Sequence, residues 1–128
     1  MKDKFEEVYN LMQLNLKYSL WVQQTSIKEH AEELRSEVEE MIAELEKDNY
    51  EEFRKELGDV FWDLLKLMAI SEKQGLFDIK DLFHEVNEKF KRRKPYLLEH
   101  RSVSREEESR IWKEVKEQEK NEQENKTA

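Results

Sequence analysis

Residues 53–64 read FRKELGDVFWDL, and residues 34–45 read LRSEVEEMIAEL. The two stretches align without a gap. Leu34 falls on Phe53, Glu37 on Glu56, Glu40 on Asp59, Glu44 on Asp63 and Leu45 on Leu64. At about 100° per residue, Phe53, Leu57, Val60 and Leu64 form an apolar stripe, with Glu56, Asp59 and Asp63 together on one flank. Leu34, Val38, Met41 and Leu45 repeat that stripe, and Glu37, Glu40 and Glu44 repeat the flank. Two such helices joined by a tight turn predict an antiparallel hairpin whose acidic flanks converge. Buried carboxylates without partners are costly, so a cation is expected among them. Facing hard oxygens suit Mg²⁺, with Mn²⁺ as a substitute. Gly58 interrupts the second helix at a cost of about 1 kcal/mol relative to alanine. It predicts a close approach there by another helix or a ligand. Acids at this spacing also occur on solvated faces paired with lysine, and the residues alone leave both readings open.

Outward from the hairpin, helices dominate. The chain has 128 residues, two glycines and one proline, too few turn residues for strands and hairpins. Phe5, Val8, Met12 and Leu16 space a first helix over residues 3–18, and YSLWVQQTS (18–26) reads as a connection. Ser26 and Glu29 form a capping box that opens the helix running to about Lys47, and Asp48 is a candidate cap for the next, residues 50–73. The second half of that helix is apolar nearly all round, which predicts a central place in the core. Gly75 reads as a C-terminal cap. A fourth helix follows from about Asp78 on Ile79, Leu82, Phe83, Val86 and Phe90, and Pro95 ends it. Ser104 and Glu107 form a second capping box before Ile111, Trp112 and Val115. The expected fold is all-α, about five helices, with a core four-helix bundle completed by oligomerisation. A single domain is expected over 1–120, and a disordered charged tail over 121–128.

Composition excludes several functions. A net charge of −8 opposes wrapping of nucleic acid, although a bound metal can still bring phosphates to an acidic protein. No cysteine is present, so neither disulfides nor thiolate chemistry is available, which fits a reducing cytoplasm. MKDKFEEVYN lacks the apolar segment of a signal peptide, and no apolar run approaches the ~20 residues of a membrane span. A cytoplasmic protein is expected, bound to neither membrane nor nucleic acid.

Glu37-x-x-Glu40, fifteen residues, and Glu56-x-x-Asp59 within ELGD resemble the MazG-like all-α nucleoside triphosphate pyrophosphohydrolases. GLFDIKDLFHEVNEKFKRRKPYLL (75–98) is similar to the family segment that runs from a Gly-x-Phe-Asp turn to a Lys-x-x-Arg-Arg-x-Pro ending. SREEESRIWKEVKEQEK (104–120) resembles its C-terminal Trp-x-x-x-Lys helix, and Trp21 its tryptophan upstream of the first acids. Ser19 and Leu20 stand where the family carries Cys-Pro. The resemblance covers about residues 20–120. It implies Mg²⁺-dependent hydrolysis of a nucleoside triphosphate to the monophosphate and pyrophosphate, in a homodimer or homotetramer, as housecleaning of non-standard or excess nucleotides. Glu37, Glu40, Glu56 and Asp59 would be the metal ligands and catalytic acids. Lys89, Arg93 and Lys116 would hold phosphates, and Trp21 and Trp112 would line the nucleotide site.

The residues themselves agree in part. Arg93 falls on the Val86–Phe90 stripe and Lys89 on its edge, either as anion ligands or as cations favoured at a helix end. Trp112 and Lys116 lie one turn apart, which permits a ring beside an ammonium. His30, His84 and His100 are scattered and read as surface or core residues. Glu37 and Glu40 are equal candidates for a general base. Alternatives are a dUTP- or dCTP-specific or phosphoribosyl-ATP pyrophosphohydrolase of the same fold, and a non-enzymatic helical interaction module. A di-iron bundle requires Glu-x-x-His pairs, and none occurs.

Overall fold

Several helices begin where a side chain satisfies a free backbone N–H. The computed structural model describes residues 1–127. Its helices are α1 (Lys2–Tyr18), α2 (Leu20–Gln24), α3 (Ile27–Glu46), α4 (Tyr50–Lys73), α5 (Ile79–Arg93) and α6 (Arg105–Thr127), with a 3₁₀ turn at Pro95–Leu97. No strand occurs among the described residues. At α3 the capping box is complete: the Glu29 N–H donates to Ser26 Oγ at 3.1 Å, and the Ser26 N–H donates to Glu29 Oε2 at 3.2 Å. At α4 the cap is Asn49, whose side chain accepts from the Glu52 N–H, and not Asp48. Asp48 instead takes the left-handed conformation that ends α3, with φ 55°. Gly75 does the same after α4, with φ 77°. The Glu107 N–H donates to Ser104 Oγ, while the Glu107 carboxylate pairs with Arg110.

One expectation changes. The connection at 18–26 contains the short helix α2, capped by Ser19 Oγ on the Val22 N–H. It is too short to show a period. α6 continues through residues 121–127. Those residues are mostly Glu, Gln, Lys and Asn with no Gly or Pro, and Glu, Gln and Lys are good helix formers. Ala128 lies outside the described residues. The chain forms two compact units, Met1–Ile79 and Lys80–Ala128.

In the first unit α3 and α4 are antiparallel: Glu33 meets Lys66 near one end, and Glu37 meets Glu56 and Asp59 further along. α1 lies parallel to α4, since Phe5 packs edge-on against Phe61 and the Lys73 ammonium donates to the Leu16 carbonyl. The core is Met12, Leu16, Val22, Leu65, Ala69 and Ile70, backed by Val8, Ile27 and Trp62. The second half of α4 thus supplies half of this core. It is not buried all round, however: Leu64 is exposed, while Asp63, Lys66 and Ser71 are buried. In the second unit, the Tyr96 hydroxyl donates to Glu108 at 2.7 Å, and Phe90 packs on Trp112 with ring centroids 6.0 Å apart.

Gly58 has nothing within 4 Å of where a Cβ would stand, so no other helix of this chain approaches it closely. Nothing in the structure explains this glycine. Gly58→Ala is therefore expected to raise stability, by up to about 1 kcal/mol. Urea denaturation checks it, and a loss of stability would reveal a contact at this position in solution.

Candidate functional site

Antiparallel pairing across the short turn at 47–49 sets the acids of α3 against those of α4. Carboxylate oxygens of Glu37, Glu56 and Asp59 lie within 4.8 Å of one another. Two of the oxygens, Glu37 Oε2 and Glu56 Oε2, are buried with no hydrogen-bond partner. Glu40 stands outside this trio and is exposed. It is near enough to act electrostatically on both Glu37 and Glu56. The remaining acids of the two flanks are engaged elsewhere: Glu44 pairs with Lys47 at 3.8 Å, and Asp63 with Lys66 at 3.3 Å.

The crowding is visible in the protonation of the group. Burial, the charge of Glu40, a hydrogen bond with Glu56 and the charge of Asp59 push the Glu37 carboxyl up to about 7. Burial raises Glu56 as well, and Glu40 and Asp59 add to this, against the hydrogen bond with Glu37. Two facing carboxylates have no proton to share until one of them is neutralised. A proton does this imperfectly, and a cation does it better. The donor set consists of hard oxygens with buried, unpartnered lone pairs, and it fits a divalent metal ion. Glu37, Glu56 and Asp59 can hold such an ion.

Next to the trio, a cleft of about 570 Å³ is lined by Glu37 and Asp59 together with Trp21, Trp62, Asp63 and Lys66, among others. Lys66 is only 3% exposed. Its ammonium lies 3.2 Å from Glu33 Oε2 and 3.3 Å from Asp63 Oδ1, and 4.8 Å from the centroid of the Trp21 ring. The fully buried His30 meets the Trp21 ring edge-on, and its Nδ1 is 3.8 Å from Glu33 Oε2. Trp21 thus lines the cleft. Lys66 was missed from sequence. Its signal was a lysine one turn after Asp63 inside an apolar run, but its second partner, Glu33, is 33 residues away.

The expected phosphate-binding residues lie in the second unit. The Arg93 guanidinium stacks 4.8 Å from the centroid of Trp112 and donates to Glu119 Oε2 at 2.9 Å. Arg92 donates to the other oxygen of Glu119 at 3.1 Å. Arg93 and Arg92 hold the Glu119 carboxyl below its usual range. Arg93 Nε is buried without a partner. Lys89 and Lys116 are exposed. Arg93 and Trp112 therefore come together, and Arg92 joins them through Glu119, a contact the sequence reading did not foresee.

The folded chain holds the Glu37 proton more tightly than an unfolded one, whose carboxyl titrates near 4.5. That contribution to stability is full below pH 4.5 and is lost as pH rises through about 7. In EDTA, wild type is therefore expected to lose melting temperature relative to Glu37→Gln across this window. Melts of the two proteins over the pH series check it, and parallel curves would contradict it.

Comparison with known proteins agrees with this geometry. The MazG nucleotide pyrophosphohydrolase domain matches residues 25–98, which include both acid pairs. A crystal structure of a mazG-related protein from Thermotoga maritima superposes with a TM-score of 0.84 at 30% sequence identity, covering 88% of this chain and 98% of that one. A search of curated proteins finds no match. Matched over more than half its length and sharing the fold of a mazG-related protein, the chain belongs to the MazG nucleotide pyrophosphohydrolase family.

Proposed function

We propose that the protein hydrolyses nucleoside triphosphates to the monophosphate and pyrophosphate with Mg²⁺, Glu37, Glu56 and Asp59 being its metal ligands. The observation that carries this reading is the convergence of these three carboxylates with two buried, unpartnered oxygens. When bound, Mg²⁺ supplies the positive charge that an all-anionic cluster needs to accept a triphosphate. Glu40, outside the tight trio and exposed, takes a proton from the attacking water in this reading. The attack falls on the α-phosphorus, and the bond from that phosphorus to the bridging oxygen breaks as pyrophosphate leaves. The resemblance gives phosphate contacts to Lys89, Arg93 and Lys116 and nucleotide contacts to Trp21 and Trp112. Trp21 in the cleft and Arg93 stacked on Trp112 support those roles. Clearance of non-standard or excess nucleotides is the cellular role that fits.

The same reading includes a homo-oligomer. Leu57, Phe61 and Leu64 form an exposed apolar stripe on α4, and Ile42 and Leu45 are exposed on α3. A second copy of the chain is the proposed cover. Light scattering is expected to give at least a dimer at micromolar concentration, and a monomer would contradict it.

Glu56→Gln tests the metal site in two directions. It is expected to abolish pyrophosphate release, because the cluster loses an anionic oxygen. In EDTA it is expected to melt no lower than wild type, because one repulsive charge is gone. Mg²⁺ should then raise the wild-type melting temperature more than the variant's, since a ligand stabilises only the state that binds it. An active Glu56→Gln enzyme would sink the assignment.

A further inference from the structure

The cleft beside the acids holds a set of groups that the hydrolysis itself does not need. Once Glu37 and Asp59 are given to the metal, the polar wall consists of Glu32, Glu33, Ser36, Asp63 and Lys66, beside Trp21 and Trp62. Tryptophan faces stack on any base and discriminate little. Selection must therefore come from the polar wall. Lys66 is the one cation among the residues lining the cleft, and it is already engaged by Glu33, by Asp63 and by the Trp21 face. His30 and Lys66 flank Glu33. Asp63 Oδ1 faces Lys66, which leaves Oδ2 to accept. With Lys66 thus committed, the charged side chains of the wall offer a ligand acceptors, and the Ser36 hydroxyl can either donate or accept.

We propose that this cleft takes the nucleobase and selects bases carrying an exocyclic amine, with Asp63 accepting the hydrogen bond from that amine. The proposal rests on the pyrophosphohydrolase reading for the position of the phosphates at Glu37 and Asp59. An amine edge finds an acceptor in Asp63. A keto edge sets a carbonyl oxygen against a carboxylate, leaving both without a donor, and a site built to hydrogen-bond one group rejects the analogue that lacks it. Lys66 acts as a positioning residue, since it orients Asp63 and covers one face of Trp21.

The test compares nucleotides that differ by an amine replaced with an oxygen. With Mg²⁺ present, kcat/KM is expected to favour CTP over UTP by about tenfold or more, and ATP over ITP in the same sense if purines are turned over. In Asp63→Asn the CTP/UTP ratio should fall toward one, because an amide can donate to the uracil carbonyl as well as accept. Should Asp63→Asn fail to fold because Lys66 is left without its partner, Asp63→Asn combined with Lys66→Met removes both charges and is read in the same way. UTP used as well as CTP, or a ratio unchanged in the variant, overturns the proposal. If wild type hydrolyses no nucleotide, the pyrophosphohydrolase reading fails, and calorimetry with CMP and UMP still decides about the cleft. Tighter binding of CMP supports it, and equal or weaker binding overturns it.

Discussion

Repulsion between carboxylates facing each other across the α3–α4 hairpin is the constraint around which the first unit is arranged. The apolar stripes of α3 and α4 bring the helices together, and burial of Leu65, Ala69 and Ile70 supplies the driving force. The same approach forces Glu37 toward Glu56 and Asp59. The fold thus spends part of its hydrophobic gain in holding Glu37 and Glu56 beside the exposed Asp59, with one oxygen of each glutamate shielded from water. Further along the hairpin, Lys66 sits between Glu33 and Asp63 and relieves the same kind of crowding with an internal cation. The hairpin solves one of these electrostatic problems with its own lysine, while the trio has no cation of the chain beside it among the described residues.

That division could be half read from the sequence. The echo between residues 34–45 and 53–64 carries the hairpin, its direction and the acids that meet, because a helical period fixes which residues share a flank. The capping box at Ser26, the glycine at 75 and the proline at 95 mark their boundaries through local backbone chemistry. Glu44 and Asp63 carry the same flank signal, yet they pair with Lys47 and Lys66. Periodicity does not reveal which acid of a row finds a lysine. Lys66 was illegible for the same reason, since its burial depends on Glu33 and on the Trp21 ring of a helix too short to show a pattern. Gly58 reads as a point of close contact and meets open space.

The second unit shows a different use of charge. Arg93 is held flat by the ring of Trp112 and by Glu119, and Arg92 shares that carboxylate. A guanidinium fixed in this way loses little side-chain freedom when it meets another anion, which is the advantage of a planar group over an ammonium. Lys89 and Lys116 are exposed and have no such support from a ring. The basic residues are therefore not equivalent, although the sequence places all of them near an amphipathic stripe.

The turn between α3 and α4 has a consequence for how this chain tolerates change in length. The Asp48 and Asn49 N–H groups donate to the carbonyls of Leu45 and Glu44, and Asn49 caps α4 three residues after α3 ends. Substitutions here alter a cap. An inserted residue propagated into α4 does more: it turns the helix by about 100° and slides it by about 1.5 Å relative to α3. Glu56 and Asp59 would then leave the face of Glu37, and Lys66 would leave Glu33, in a single step. Insertions and deletions should consequently be rare in 47–49, and a viable one should come with a second, compensating change of length along the hairpin.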